Sequence, residues 1–146
     1  MDRDLYLLNV ASQEITQLTK FDPSKILDRS FSLSPNEEHI AYTDHKDGQI
    51  DIFVIPIQGG SPVRVTNDKT IDSNPAWTPD GRRIVYSSNR NGANQIFLAY
   101  LDGRAPVQLS VNDSGSNVLD ISGGSGSPRL AGSSARNLTK NIRRLF

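Results

Sequence analysis

Residues that commonly carry out catalysis or bind metal ions are few in this sequence of 146 residues. It contains two histidines, His39 and His45, and no cysteine. A metal site needs three or four converging ligands, and no His-x-x-x-His or Glu-x-x-His spacing accompanies either histidine. We expect His39 on a strand and His45 in a turn, both as solvated surface side chains. The sequence thus predicts no metal site and no cofactor, and it excludes disulfides and a cysteine nucleophile.

A hydrolytic site has no better support in the sequence. The nucleophilic serine of an α/β-hydrolase lies in a Gly-x-Ser-x-Gly elbow, and residues 123–127 (Gly-Gly-Ser-Gly-Ser) depart from that pattern at the last position. Carboxylate pairs such as Glu37-Glu38 fall at predicted turns, where acidic side chains serve backbone hydrogen bonds. No Asp-x-Asp-x-Asp-Gly calcium loop is present. We therefore predict no catalytic residue in this chain.

Strands and turns account for most of the polar residues, and residues 72–92 (DSNPAWTPDGRRIVYSSNRNG) show this most clearly. Asp80-Gly81 lies between two short apolar runs, which predicts a hairpin because glycine tolerates the positive φ that such turns need. Asn91-Gly92 marks a second reversal of the chain. Trp77 and Tyr86 favour a pleated surface. The stretch is therefore predicted to form a strand, a tight turn and a second strand.

Weaker copies of this stretch lie on both sides of it at a regular spacing. Two sets of similar residues recur with offsets of 47 and then 44 positions: Leu5-Tyr6, Ile52-Phe53 and Ile96-Phe97; and Leu18-Thr19, Val65-Thr66 and Leu109-Ser110. A third set recurs with an offset of 44 positions: Ser34-Pro35, Thr78-Pro79 and Ser122. A period in the forties with four short strands per unit is typical of β-propeller blades. One twisted four-stranded sheet cannot cover both of its faces, whereas stacked neighbours bury them.

The stronger copy resembles the TolB-like beta-propeller repeat, a WD40-like family. Its sequence P-A-W-T-P-D-G-R-R-I-V-Y-S-S-N-R-N-G, followed by Q-I-F and V-Q-L-S, matches the family pattern P-x-W-S-P-D-G-x-x-I-x-F-x-S-x-R-x-G, then I-Y and L-T. The matching positions, which we predict to be structural, are Pro75, Trp77, Pro79, Asp80, Gly81, Ile84, Tyr86, Ser88, Arg90 and Gly92, with Ser34, Pro35, Ile40 and Tyr42 in the weaker copy. Trp77 is expected to pack between blades, because Leu33 and Ile121 occupy the same blade position.

The resemblance implies an all-β fold of four-stranded antiparallel propeller blades in an incomplete ring over residues 1–122. The two whole blades are residues 29–66 and 73–110, and the partial ones are 2–19 and 117–122. Propellers usually close with about four to eight blades. The chain is therefore expected to be a piece of a larger propeller, or to close by self-association through its open blade edges.

Charge is distributed unevenly along the chain. Residues 1–122 carry eleven Lys/Arg and sixteen Asp/Glu, whereas residues 123–146 carry five Lys/Arg and no acid. Residues 123–128 have the composition of a Gly/Ser linker, and residues 129–146 are predicted to be a basic tail, disordered or a short helix. Only this basic tail has a charge that suits binding to nucleic acid or to an anionic membrane. Its origin as a natural tail, a frameshifted end or a fusion stays open.

Arg82, Arg83 and Arg90 are expected to be solvated turn charges, with contact to an acidic partner as the alternative.

The resemblance implies a non-enzymatic, protein-binding module, similar to the TolB component of the periplasmic Tol-Pal system, which binds the lipoprotein Pal. Binding would use the loops and the funnel of the ring, for which the repeat names no residue. Two alternatives are the accessory, substrate-gating propeller of a prolyl-oligopeptidase-type peptidase and the sensor or adaptor propeller of a signalling protein. All three predict that this chain catalyses nothing.

The compartment is implied by the resemblance alone. No apolar run approaches the roughly 18–20 residues of a membrane span, and Met1-Asp2-Arg3-Asp4 leads into a strand pattern without a basic n-region. The family implies the periplasm, while the lack of a signal peptide in this sequence keeps the cytoplasm open.

Overall fold

The computed structural model describes residues 4–25 and 30–110, which form three antiparallel β-sheets. No helix occurs in these two ranges, so no described helix could cross a membrane. The strands are β1 Tyr6–Leu8, β2 Ile15–Gln17, β3 Phe31–Leu33, β4 His39–Lys46, β5 Gln49–Pro56, β6 Val63–Arg64, β7 Asp72–Trp77, β8 Arg83–Asn91, β9 Ala93–Tyr100 and β10 Val107–Gln108. The predicted strand 117–122, linker 123–128 and basic tail 129–146 lie outside the described residues.

Two of the sheets are four-stranded and have the same design. Sheet 1 has the order β3-β4-β5-β6 and sheet 2 the order β7-β8-β9-β10, so that each strand pairs with its neighbour in the sequence. The cross-strand pair Tyr42 and Phe53 of sheet 1 recurs in sheet 2 as Tyr86 and Phe97. The small sheet β1-β2 precedes them. This arrangement confirms the predicted all-β fold of consecutive antiparallel blades, which form no closed ring within the described residues.

The hairpin between β4 and β5 shows how turn chemistry sets the register. Lys46 pairs with Gln49, which leaves Asp47 and Gly48 as a two-residue loop with φ of 54° and 80°. Type I′ turns need positive φ at both central residues, and Asp-Gly suits them. Because the turn is so short, β4 extends through His45 to Lys46. The prediction that His45 lies in a turn was wrong.

The turns that enter β4 and β8 share one hydrogen-bond pattern. In sheet 2 the backbone N–H of Arg83 donates to Thr78 Oγ1 (3.2 Å), which in turn donates to Asp80 Oδ1 (2.6 Å). In sheet 1 the N–H of His39 donates to Ser34 Oγ (2.9 Å), which donates to Asn36 Oδ1 (2.7 Å). A hydroxyl followed two residues later by Asp or Asn therefore closes both turns.

The space between sheet 1 and sheet 2 holds the largest apolar cluster. It contains residues from both sheets: Ala41, Ile52, Val54, Trp77, Ile84, Tyr86, Phe97 and Ala99. The Trp77 side chain is 6% exposed, and its Nε1 donates to the Ser32 carbonyl oxygen at 3.0 Å. Trp77 thus packs between the sheets with the rest of this cluster and hydrogen-bonds to the backbone of sheet 1.

The other face of sheet 1 is covered only in part. Tyr42, Phe53 and Ile55 pack with Leu18 and its neighbours from the small sheet. Leu33, which takes the tryptophan position in sheet 1, is 49% exposed, and Phe31 is 62% exposed. Their strand, β3, is an edge strand of sheet 1, and the two short strands β1 and β2 leave it uncovered. The expectation that this position is buried between blades therefore holds for Trp77 and not for Leu33.

The two related turns predict a stabilising substitution. Glu37 has φ of 58°, where the other turn has Gly81 with φ of 67°. A side chain in this left-handed region costs about 1 kcal/mol, so we expect Glu37→Gly to raise the free energy of unfolding by about 0.5–1 kcal/mol. Urea denaturation measures this. Gly81→Ala is the matched control and should lower stability; a loss of stability in both variants would contradict the explanation.

The Asp80 carboxylate predicts a pH dependence. Burial raises its pKa, but hydrogen bonds from Thr78, Arg83 and Arg82 outweigh burial and lower the pKa to about 2, from 3.8. A lowered folded-state pKa contributes stability above the unfolded value and loses it as the pH falls. We expect Asp80→Asn to be less stable than the wild type at neutral pH, with the difference shrinking from about pH 4 to about pH 2. Glu14→Gln, an exposed control, should show no such convergence.

Candidate functional site

Most of the repeat-motif residues lie on the packed faces of the sheets or in turns. Buried members are Ser34, Tyr42, Pro75, Trp77, Ile84, Tyr86 and Ser88; half-buried members are Ile40, Gly81 and Arg90; exposed turn members are Pro35, Pro79, Asp80 and Gly92. The structure brings Trp77, Ile84 and Tyr86 together in one apolar cluster. It holds Tyr86, Ser88 and Arg90 together in a polar network.

This network is centred on the Arg90 guanidinium. Its Nη2 lies 2.8 Å from Asp68 Oδ2 and 3.3 Å from Asp72 Oδ2, and it donates to Tyr86 Oη at 2.7 Å. The guanidinium carbon is 4.3 Å from the centre of the Phe97 ring. Asp72 is fully buried, and burial raises the pKa of its carboxyl. Arg90 is therefore an internal counter-ion, and the expectation of a solvated turn charge was wrong for it.

Sheet 1 contains a second network of the same kind, in different positions. Asp51 is fully buried and accepts hydrogen bonds from Arg64 Nε (3.0 Å) and Thr66 Oγ1 (3.2 Å). Arg64 also donates to Gln49 Oε1 at 2.7 Å. Sequence reasoning missed both networks. The available signal was an aspartate next to a run of strand-forming apolar residues, as in Asp51-Ile52-Phe53-Val54-Ile55, because a charge at such a place must be paired when it is buried.

Neither network offers a metal site. Among residues 4–25 and 30–110, no group of three or more His, Cys, Asp and Glu side chains could hold a metal ion. The buried carboxylates instead face guanidinium and hydroxyl groups. His39 and His45 are both half-buried rather than solvated, and the His39 ring centre is 6.4 Å from that of Trp77.

An open groove begins between sheets 1 and 2, at the opposite end of the strands from the Arg90 network. Its first part is a cavity of about 510 Å³. The apolar lining residues are Val54, Pro56, Val63, Val65, Trp77, Tyr100 and Leu101. Polar residues that line it include Asn36, His39 and Arg64, of which Arg64 is already paired with Asp51. Val63 and Leu101 remain 65% and 43% exposed, so this end of the interface is not filled.

The second part of the groove is polar. It is a cavity of about 620 Å³ that shares Gly81, Tyr100 and Leu101 with the first. Arg83 pairs with Asp80 (2.5 Å) and Arg104 pairs with Asp102 (2.8 Å). The Arg82 side chain is exposed and pairs with none of the described residues. The groove is thus apolar on one side and carries one uncompensated positive charge on the other.

Sequence comparison identifies a family. The family model of the TolB beta propeller domain matches residues 1–127. No curated protein matches the chain.

Solved structures of similar shape include two described as TolB. The structure of TolB from Acinetobacter baumannii has a TM-score of 0.66 and 25% identity over 79% of this chain and 28% of that one. The structure of putative TolB from Agrobacterium tumefaciens has a TM-score of 0.65 and 26% identity over 77% of this chain and 39% of that one. The chain thus spans less than half the length of either protein.

A third similar structure is that of a puromycin-hydrolyzing peptidase from Mycobacterium tuberculosis. Its TM-score is 0.54, with 17% identity over 68% of this chain and 16% of that one. At this identity the similarity shows the fold alone.

The Arg90 network predicts a large loss of stability when its charge is removed. Arg90→Met leaves the buried Asp72 carboxylate without its counter-ion, and we expect the free energy of unfolding to fall by roughly 3 kcal/mol. Adding Asp72→Asn should recover a substantial part of the loss, because the carboxylate that then remains without Arg90, that of Asp68, is 36% exposed and in contact with solvent. Chemical denaturation of the single and double variants measures this. Equal stability of the two would contradict the assigned ion pair.

Proposed function

The chain belongs to the TolB beta propeller domain family, and on that basis we propose that it is a non-enzymatic module that binds other proteins. Family membership suggests binding rather than catalysis. The buried carboxylates fit this role, since Asp51 and Asp72 are engaged by Arg64 and Arg90. The role of these two carboxylates is therefore to stabilise the fold.

The observation that carries the proposal is the groove between the two sheets. Exposed apolar side chains bordered by charged ones are typical of protein-interaction surfaces. The walls of this groove are held by the Trp77 cluster and by the hydrogen bond from Trp77 to Ser32. A site on such rigid elements loses little conformational entropy when a partner binds.

For the partner and the compartment, we extend the proposal from the similarity to TolB. The partner is the lipoprotein Pal, and the compartment is the periplasm. The chain corresponds to 28% and 39% of the two TolB structures, so binding by this part of a propeller is itself a point to be tested.

The alternative role is that of an accessory propeller in a peptidase. The fold similarity to the puromycin-hydrolyzing peptidase from Mycobacterium tuberculosis supports it at the level of architecture. A hydrolase sequence encoded next to this chain in the same gene would favour this role, and an isolated propeller gene would favour the binding module.

Titration of a soluble form of Pal into the purified chain tests the proposed function. We expect saturable binding by calorimetry and no turnover of chromogenic ester, peptide or glycoside substrates. An unrelated soluble lipoprotein serves as the negative control. Absence of binding to Pal would reject the proposed partner, and steady turnover that purifies with the chain would reject the non-enzymatic role.

The uncovered face of β3 leads us to propose a second contact, between copies of the chain. Phe31 and Leu33 expose apolar surface on the edge strand β3, and such surfaces favour association. Light scattering after size exclusion should give a mass above that of the monomer at high concentration, for the full chain and for a version ending at Ser122. Phe31→Ser with Leu33→Ser should shift the mass towards the monomer. A monomer at every concentration would contradict self-association.

A further inference from the structure

We propose that the groove between sheets 1 and 2 binds an extended acidic peptide, with a bulky apolar side chain against Trp77 and a carboxylate beside Arg82. The inference rests on the proposed protein-binding function and deepens it by naming the site and the chemistry of the bound segment. The apolar part is lined by described residues of both sheets, and the polar part by described residues of sheet 2 alone.

The apolar part of the groove has the size and lining of a side-chain pocket. Its volume of about 510 Å³ lies within the range of roughly 300–1,000 Å³ that is common for ligand pockets. Val54 and Trp77 line it and belong to the buried apolar cluster. Val63 from β6 and Leu101 from the end of β9 line it and stay largely exposed. An inserted aromatic or aliphatic side chain would cover both.

The polar part selects for a carboxylate. Asp80 and Asp102 are already paired with Arg83 and Arg104, and the Arg104 guanidinium carbon also lies 4.1 Å from the Tyr100 ring centre. Arg82 is left as an exposed cation without a described side-chain partner. This excess of positive charge stands out because residues 1–122 carry a net charge of −5. A guanidinium favours carboxylate ligands, with which it forms paired hydrogen bonds.

The charge differs between the two ends of the groove, and this difference orients the peptide. At the rim formed by Asn36, the neighbouring acids Glu37 and Glu38 are exposed, and Asn36 Nδ2 donates to Glu38 Oε2 at 2.6 Å. A carboxylate of the peptide is disfavoured at that rim by like charge and favoured at Arg82. Because the two cavities share Gly81, Tyr100 and Leu101, one continuous segment can occupy both. An extended peptide meets these demands better than a compact small molecule.

The test uses the octapeptide fluorescein-Gly-Ser-Phe-Asp-Asp-Ser-Gly-Ser-amide, labelled at its N-terminus, and the full chain. We expect saturable binding by fluorescence anisotropy that weakens as salt is raised, because the charge contact is screened. Two matched peptides replace Phe by Ser or both Asp by Lys, and each should bind at least about tenfold more weakly.

Matched protein variants locate the site. Arg82→Glu and Val63→Glu change exposed groove residues, and each should weaken binding of the octapeptide by about tenfold or more. Lys69→Glu makes the same charge change at an exposed position outside the groove, and Val107→Glu changes the corresponding outer-strand residue of sheet 2. These two controls should bind within about twofold of the wild type. Circular dichroism confirms that all four variants fold.

The outcomes separate this inference from the proposed function. If Pal binds but the octapeptide does not, or if the groove variants bind it as the controls do, the groove inference is wrong and the binding function stands. If neither Pal nor any of the three peptides binds, both are wrong. If Val63→Glu instead lowers the solution mass, the groove holds a second copy of the chain, and the peptide inference is overturned.

Discussion

The structure depends on the contact by which each four-stranded sheet covers an apolar face of the next. Ala41, Ile52 and Val54 of sheet 1 would face water if sheet 2 did not pack on them, and Trp77 is the side chain that spans the gap. At roughly 25 cal/mol per Å² of buried apolar surface, an aromatic side chain of this size dominates such an interface. The hydrogen bond from its indole to the Ser32 carbonyl oxygen is directional, so it fixes the position of one sheet relative to the other, which apolar contact alone does not.

The two ends of this interface have opposite characters. At one end, Arg90 is surrounded by Asp68, Asp72, Tyr86 and the Phe97 ring, so that buried charge is neutralised within the protein. At the other end, Val63, Leu101 and Arg82 have no equivalent partners among residues 4–25 and 30–110. The first end contributes to the unique packing of the sheets, since a buried carboxylate accepts few alternative arrangements. The second end is where the chain has surface available for another molecule.

The parts of the structure that could be predicted from the sequence are those that repeat or are local. The offset of 44 residues indicated the sheets, and Asp-Gly and Asn-Gly indicated their hairpins. The buried pairs of Asp51 with Arg64 and of Asp72 with Arg90 could not be derived in this way, because they join residues 13 and 18 positions apart through strand pairing. The groove was also beyond sequence reasoning, since Val63 and Leu101 belong to different sheets and meet only when the sheets pack. His45 was misplaced because the two-residue turn lets β4 continue beyond it.

The strand order has a consequence for how the chain folds. Because every strand pairs with its neighbour in the sequence, each sheet can complete its hydrogen bonds during synthesis, as soon as its own forty or so residues have left the ribosome. Its apolar face, however, must wait for the next sheet. The interval between the emergence of Arg64, which completes sheet 1, and that of Trp77 is therefore a period in which a formed sheet presents uncovered apolar surface, and it is then that aggregation competes with folding.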